Sequence, residues 1–400
     1  MREKREEKKM KLIPILCFGL LMAGLGSSDA LRGIFAPVFQ SRYGLSESQL
    51  SLMITISYIG NLLFLSVGGK LLDLFPRKRV AIGVVGIWVG AILLNLVTDH
   101  YGCIIVSMFL ALGASTLLNT TVNILTPAVC AGYAGLMVNV FFFIQGIGTS
   151  GSQYILGRYA FSYGGWKGIN GILLGIGAAV LVLLFILVIP ETSAEEKTEG
   201  GGEESEPESS VFWMFAAMMG CYFIAEHGIM NWLLSYCINA FQMEAAQASV
   251  SLSIFWGGMT AGRLLFAPVV QKLGAAKSLY LFGGLGTVMF CAGCLLGSSG
   301  ILVLGCSGFV ISILYPTMVL LIQQIYPRKY AATKTGAIIS IATLADIGFN
   351  LVFGVAADRL GYRISFLILP VCMVGFYFLY VRLVKKVGKN TAIVVNKKTN

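Results

Sequence analysis

Three carboxylates stand inside long apolar stretches of this sequence: Asp29, Glu226 and Asp346. Two arginines, Arg32 and Arg263, stand in stretches of the same kind. A charge at the centre of a bilayer costs about 2.5–3.5 kcal/mol on insertion scales, so such residues face a bundle interior or wet cavity and mark ion or solute pathways. Asp29 and Arg32 are three residues apart and share a helix face. A carboxylate held between the opposing effects of burial and an adjacent guanidinium can take up and release a proton. Asp29 is therefore the first candidate for ion coupling, and Asp346, which shares a face with Asn350, is the second. Each could take a proton or a sodium ion.

Glu226 opens a second constellation, with His227, Asn231, Trp232 and Tyr236 following it. Amides and carboxylates hold the hydroxyls of a polar solute, and an aromatic face covers its ring. Glu226, Asn231, Trp232 and Tyr236 supply each type, and Asn119 and Gln145 add neutral amides that both donate and accept. His227 reads as a packed polar residue. Arg32 belongs to the substrate set if the solute is an anion. Arg263 reads as a gate residue, with anion recognition as the rival role.

Other chemistries lack their residues. No G-x4-G-K-[ST] phosphate loop and no G-x-S-x-G nucleophile elbow occurs. No His, Cys and carboxylate cluster has zinc spacing, so no metal and no cofactor is expected. The nine cysteines lie mostly in apolar runs and read as packing residues.

The elements that must carry these residues are set by composition. Of 400 residues, 56% are hydrophobic and 12% are charged, about half the usual charged share. Mean hydropathy is +0.81. These values exclude an ordinary soluble enzyme and a disordered chain, and they predict an all-α membrane protein with twelve transmembrane helices. The runs fall near 12–38, 47–69, 79–98, 101–126, 132–158, 168–190, 211–239, 246–270, 278–297, 300–326, 334–356 and 364–384.

With the N-terminus cytoplasmic, 22 of the 29 Lys and Arg lie in cytoplasmic segments and five in the outer loops. That asymmetry predicts a cell-membrane protein with both termini cytoplasmic, and it explains the net charge of +10 without nucleic acid. The expected organisation is a cytoplasmic tail (1–11), a six-helix half (12–190), an acidic flexible linker (191–210), a second six-helix half (211–384) and a basic cytoplasmic tail (385–400). The two halves are pseudo-symmetric. Gly60-Asn-Leu-Leu-Phe64 matches Gly262-Arg-Leu-Leu-Phe266, Gly157 and Gly164 match Gly354 and Gly361, and Leu117–Thr120 match Ile313–Pro316. Such repeats typify secondary transporters, whose sites lie near the bilayer midplane between the repeats.

Between spans two and three stands Gly69-Lys-Leu-Leu-Asp73-Leu-Phe-Pro-Arg77-Lys-Arg79. Gly69 would permit a close helix contact, and Asp73 sits at a helix end. The pattern resembles the loop signature of the major facilitator superfamily, and Gly354-x3-Asp358-Arg359 resembles the related turn after span eleven. Several stretches are similar to the fucose–proton symporter branch, which includes glucose and galactose carriers. They are Asp29 and Pro37 in span one, Tyr222-Phe-Ile-Ala-Glu226 in span seven, Phe255–Arg263 in span eight and Tyr315-Pro316-Thr317 in span ten. Fucose carriers place a second acid in span four, where this chain has Thr116.

The resemblance implies a twelve-helix, monomeric secondary transporter working by alternating access and moving a sugar-like solute with protons or sodium. Three alternatives accompany it: an organic-anion carrier using Arg32 and Arg263, a multidrug efflux antiporter, and a non-transporting membrane sensor.

Overall fold

The computed structural model describes residues 2–130, 134–187 and 208–397. The expected linker at 191–210 lies almost wholly outside the described residues, as do the side chains of Asp73, of the N-terminal tail and of most of the C-terminal tail.

The chain is helical in α1 (Arg2–Tyr43), α2 (Glu47–Leu74), α3 (Arg77–Val97), α4 (Tyr101–Val129), α5 (Ala134–Tyr159) and α6 (Tyr163–Ile186). It continues through α7 (Ser209–Phe241), α8 (Ala245–Leu273), α9 (Ala275–Leu295), α10 (Ile301–Ile311), α11 (Leu314–Ile325), α12 (Arg328–Ser365) and α13 (Ile368–Lys397). Helices α10 and α11 are two parts of one span, Gly297–Ile325, which makes twelve transmembrane helices in the expected order. Eleven stretches among the described residues are long and apolar enough to cross a membrane. Helix α5 runs for 26 residues and carries the polar side chains Asn139, Gln145, Thr149 and Gln153.

The chain forms two compact units. Unit 1 comprises Met1–Glu196 with Leu233–Gly257, and unit 2 comprises Lys197–Trp232 with Gly258–Asn400. The segment Leu233–Gly257, expected in the second half, groups with the first.

Within unit 1, small residues set how closely helices approach. A β-carbon on Gly26 of α1 would lie 2.0 Å from the Gln145 carbonyl oxygen, and one on Gly148 of α5 would lie 2.3 Å from that of Ala23. Hydroxyls reinforce the crossing: Thr149 donates to the Gly26 carbonyl at 3.0 Å, and Ser27 donates to that of Gly148 at 3.3 Å. Such packing replaces the hydrophobic drive that is missing between helices in lipid.

The internal repeat is visible at atomic level. A β-carbon on Gly60 would lie 2.2 Å from the Phe109 carbonyl oxygen, and one on Gly262 would lie 2.5 Å from that of Phe309. Phe64 pairs with Phe109 at 6.4 Å between ring centroids, and Phe266 pairs with Phe309 at 4.7 Å. The Gly-x3-Phe string thus does the same work in each unit. The Leu117/Ile313 match is one helical turn out of this register, because Phe109 and Phe309 are the equivalent residues. Gly361 takes φ +76° and breaks α12, whereas Gly164 adopts no such conformation. A β-carbon on Gly69 would meet nothing within 4 Å, and Gly68 is the residue packed closely, against Leu117 at 2.3 Å. The close contact expected at Gly69 belongs to its neighbour, which points to the other side of α2.

At one end of unit 1, the loop between α3 and α4 is held by a polar clasp. Lys167 of α6 donates to the carbonyls of Asn95, Leu96 and Thr98 at 2.7–3.1 Å, capping α3. It also pairs with Asp99 at 2.7 Å. Tyr163 donates to the Asp99 carboxylate at 2.9 Å, and Tyr43 donates to the Asp99 carbonyl at 2.9 Å. The Lys167 and Tyr163 donors hold the Asp99 carboxyl below its ordinary range.

Candidate functional site

In unit 1, α1 carries Asp29 and Arg32 one turn apart onto a small cavity. Its wall includes Ser57 of α2, Asn95 of α3, and Trp166 and Asn170 of α6. The cavity has ≈ 30 Å³ for the centres of water-sized molecules, enough for about two waters. Ser115 of α4 donates to Asp29 at 2.8 Å. Arg32 stacks over the Tyr58 ring at 4.8 Å and donates to its hydroxyl at 3.3 Å. Asn95 donates to Asn170 at 3.0 Å, while its own side-chain oxygen and the Trp166 indole nitrogen are buried with no partner. The cavity therefore offers a carboxylate, a guanidinium, an acceptor and a donor to small polar molecules.

In unit 2, the polar residues come from four helices. His227 and Asn231 lie four apart on α7, and Asp346 and Asn350 lie four apart on α12, so two collinear pairs face each other. The His227 Nδ1 and Asp346 Oδ2 atoms are 2.6 Å apart. Asn350 donates to the Asp346 carboxylate at 3.3 Å and to its carbonyl at 2.9 Å. Asn231 and Trp232 donate to the Asn350 oxygen at 3.4 and 3.0 Å. Asp346 and Asn350 are fully buried.

Beside this network, Glu226 meets Arg263 of α8 at 3.7 Å. The distance exceeds the 2.7–2.9 Å of a close charge-assisted hydrogen bond. The Arg263 side chain is 40% exposed and that of Glu226 is 6% exposed. The broken span holds both in register. Pro316 has no N–H and its ring excludes the Ser312 carbonyl, which frees backbone acceptors at the break. Arg263 Nε donates to the Ser312 carbonyl and Tyr222 donates to that of Ile311, each at 3.3 Å. A row of rings runs alongside: Tyr315 lies 5.6 Å from Phe223, and Phe223 lies 5.2 Å from His227.

The structure therefore joins Asn231, Trp232 and Asp346 in one network and joins Glu226 to Arg263. Trp232, expected as a stacking surface, has its ring 4.5 Å from Phe353 and no exposure. Tyr236 lies in unit 1, 4.9 Å from the Phe241 ring. Asn119 and Gln145 also lie in unit 1, both half-buried, and the Asn119 side-chain oxygen has no partner. In the loop motifs, Arg79, Asp358 and Arg359 are exposed and Arg77 is half-exposed. Lys78 between the two arginines donates to the Phe185 carbonyl at the end of α6, at 3.2 Å.

The residue the sequence reading undervalued is His227. The signal was present: His227-x3-Asn231 repeats the spacing of Asp346-x3-Asn350. Among the described residues, no group of three or more His, Cys, Asp or Glu could hold a metal ion.

Comparison with known proteins gives this arrangement a family. Residues 16–345 match the Major Facilitator Superfamily. The 3-(3-hydroxy-phenyl)propionate transporter of Escherichia coli is 22% identical over 361 residues, covering 85% of each chain. The 4-hydroxybenzoate transporter PcaK of Pseudomonas putida is 24% identical over 45% of this chain and 40% of its own. An MFS-type transporter of Yersinia pestis is 26% identical over 64% of this chain and 66% of its own. The D-xylose-proton symporter structure superposes with a TM-score of 0.71 at 14% identity, covering 93% of this chain and 96% of that one. The nucleoside transporter NupG reaches 0.75 at 11% identity, covering 94% and 99%. The chain belongs to the Major Facilitator Superfamily, a family of membrane transporters, and so stands among carriers rather than enzymes.

Proposed function

We propose that this protein is a proton-coupled importer of small organic acids that carry an aromatic ring, working by alternating access in a cell membrane with both termini cytoplasmic. One observation carries the reading. Arg263, in a spanning helix, is 40% exposed and only loosely paired with Glu226, beside the ring row of Tyr315 and Phe223. A guanidinium takes a carboxylate through two parallel hydrogen bonds, and the rings cover an aromatic face. The hydroxyl of a phenolic acid would find its partners among the amides and His227. Two curated relatives are named for hydroxyaryl carboxylates, which supports the same chemistry. In this reading the organic-anion alternative displaces the sugar, because Trp232 and Asn231 are engaged within unit 2.

Asp29 is the coupling acid. It takes a proton on the outer side and gives it up on the inner side, with Ser115 donating to its charged form. The basic Arg79 serves the cytoplasmic loop between spans two and three, the exposed Asp358 and Arg359 serve the outer turn after span eleven, and Asp346 is a second ion site. A sugar remains the second reading, favoured by the unpartnered Asn119 oxygen near the middle of α4.

Thermal stabilisation of the purified protein separates the two. A ligand at one hundred times its dissociation constant adds about 2.7 kcal/mol. Stabilisation by 4-hydroxybenzoate and not by hexoses or pentoses supports the proposal, and the reverse pattern rejects it in favour of the sugar.

A further inference from the structure

We infer that His227 and Asp346 form a second proton-binding site, in unit 2, in which the proton is carried by the imidazole. This deepens the reading of the chain as a proton-coupled carrier and rests on it for its purpose, though not for its test.

Three observations point the same way. The 2.6 Å separation of Nδ1 and Oδ2 is shorter than the 2.9–3.0 Å mode of neutral N–H···O bonds. Asp346 is fully buried, accepts a hydrogen bond from Asn350 and lies within hydrogen-bond reach of the imidazole, an arrangement suited to the carboxylate. Lastly, the His227 side chain is 25% exposed, so the acid is sealed and the base is not.

The groups facing the pair come from each neighbouring helix. Helix α7 supplies Tyr222 and Glu226, α8 supplies Arg263, α11 supplies Tyr315 and α12 supplies Asp346 itself. Glu226 and Arg263 offset one another. That leaves Asp346 as the uncompensated charge of the set, with His227 the member of it in contact with the carboxylate.

With Nδ1–H donated to Asp346, a proton from water adds at Nε2, and the pair passes from one net negative charge to zero. The reverse step returns the proton to water. Uptake thus removes a net charge from the interior of a membrane-spanning bundle, where a charge is costly.

The sequence contains two histidines, His100 and His227, so H100Q leaves His227 as the sole imidazole. Nitrogen-15 histidine spectra of H100Q protein in nanodiscs, taken between about pH 5 and pH 9, read its protonation directly. The expected result is one reversible titration, whose midpoint moves by about one pH unit or more in the added D346N variant. If D346N does not fold, a pH jump on the double variant H100Q/H227Q gives the same information. It should bind one proton fewer per molecule than H100Q. An imidazole that keeps one protonation state across the range overturns the site, and so does a midpoint that ignores D346N.

The outcome is independent of substrate. A silent His227 with 4-hydroxybenzoate binding intact removes this site alone. A titrating His227 with no carboxylate binding removes the substrate reading alone.

Discussion

The two units place opposite electrostatic problems in the membrane. Unit 1 sets one carboxylate beside one guanidinium, Asp29 and Arg32, on a small cavity. Unit 2 holds two carboxylates, Glu226 and Asp346, against one guanidinium and one imidazole. A proton taken up by Asp29 makes its set more positive, whereas a proton taken up beside Asp346 makes its set neutral. The partners follow the same division. Arg32 is 7% exposed and stacked on Tyr58, while Arg263 is 40% exposed and loosely held. A duplicated framework, with Gly60 and Gly262 doing the same packing, has thus been given a sealed arginine in one copy and an open one in the other.

The largest expected effect breaks that contrast at the arginines. Arg263→Gln should weaken 4-hydroxybenzoate binding by about 100-fold or more, since truncating one partner of a hydrogen-bonded charge pair costs about 2–5 kcal/mol. Arg32→Gln should change the same affinity by less than about tenfold, or 1.4 kcal/mol. Equilibrium binding to the two purified variants compares them, and equal losses would erase the distinction between sealed and open arginines.

A smaller effect concerns stability. Asn350→Leu removes the side-chain oxygen that accepts from Trp232 and Asn231 and the amide that donates to Asp346. It should cost about 2–3 kcal/mol, as buried polar groups left unmatched do. Ser115→Ala removes a single hydroxyl beside a half-buried acid and should cost about 1–2 kcal/mol. Chemical denaturation ranks them, and a larger loss for Ser115→Ala would mean that unit 1 holds the more tightly coupled network.

The smallest effect belongs to the clasp on the α3–α4 loop. Lys167 and Tyr163 hold the Asp99 carboxyl below its usual range, so its contribution is present above the unfolded value of about 3.9 and is lost as pH falls through the lower native value. Amide exchange in the 98–100 loop, taken relative to the unfolded chain at the same pH, should rise on acidification below about pH 4 in the native chain. In Asp99→Asn it should already be raised at neutral pH and change little with acid. Identical profiles would show that the clasp does not depend on this charge.

Much of the framework was legible in one dimension because a bilayer enforces it. Apolar runs of about 20 residues must be helices. The Gly-x3-Phe repeat carried its three-dimensional role in its spacing. Periodicity along one helix also exposed Asp29 with Arg32 and Asp346 with Asn350. What stayed hidden were contacts between helices. Trp232, an obvious stacking surface by type, bonds Asn350 and lies against Phe353. Gly69 and Gly68 differ by one residue, hence by about 100° around a helix, and only the packed structure shows which meets Leu117. His227 could not be assigned to Asp346 because 119 residues separate them.

The central claim is that Asp29 couples a proton to the movement of an organic acid. Proteoliposomes carrying Asp29→Asn test it most directly, with labelled 4-hydroxybenzoate and an imposed pH gradient. The account predicts that gradient-driven accumulation disappears while exchange of internal for external solute continues at a rate comparable to the native chain. Full accumulation in Asp29→Asn would contradict it.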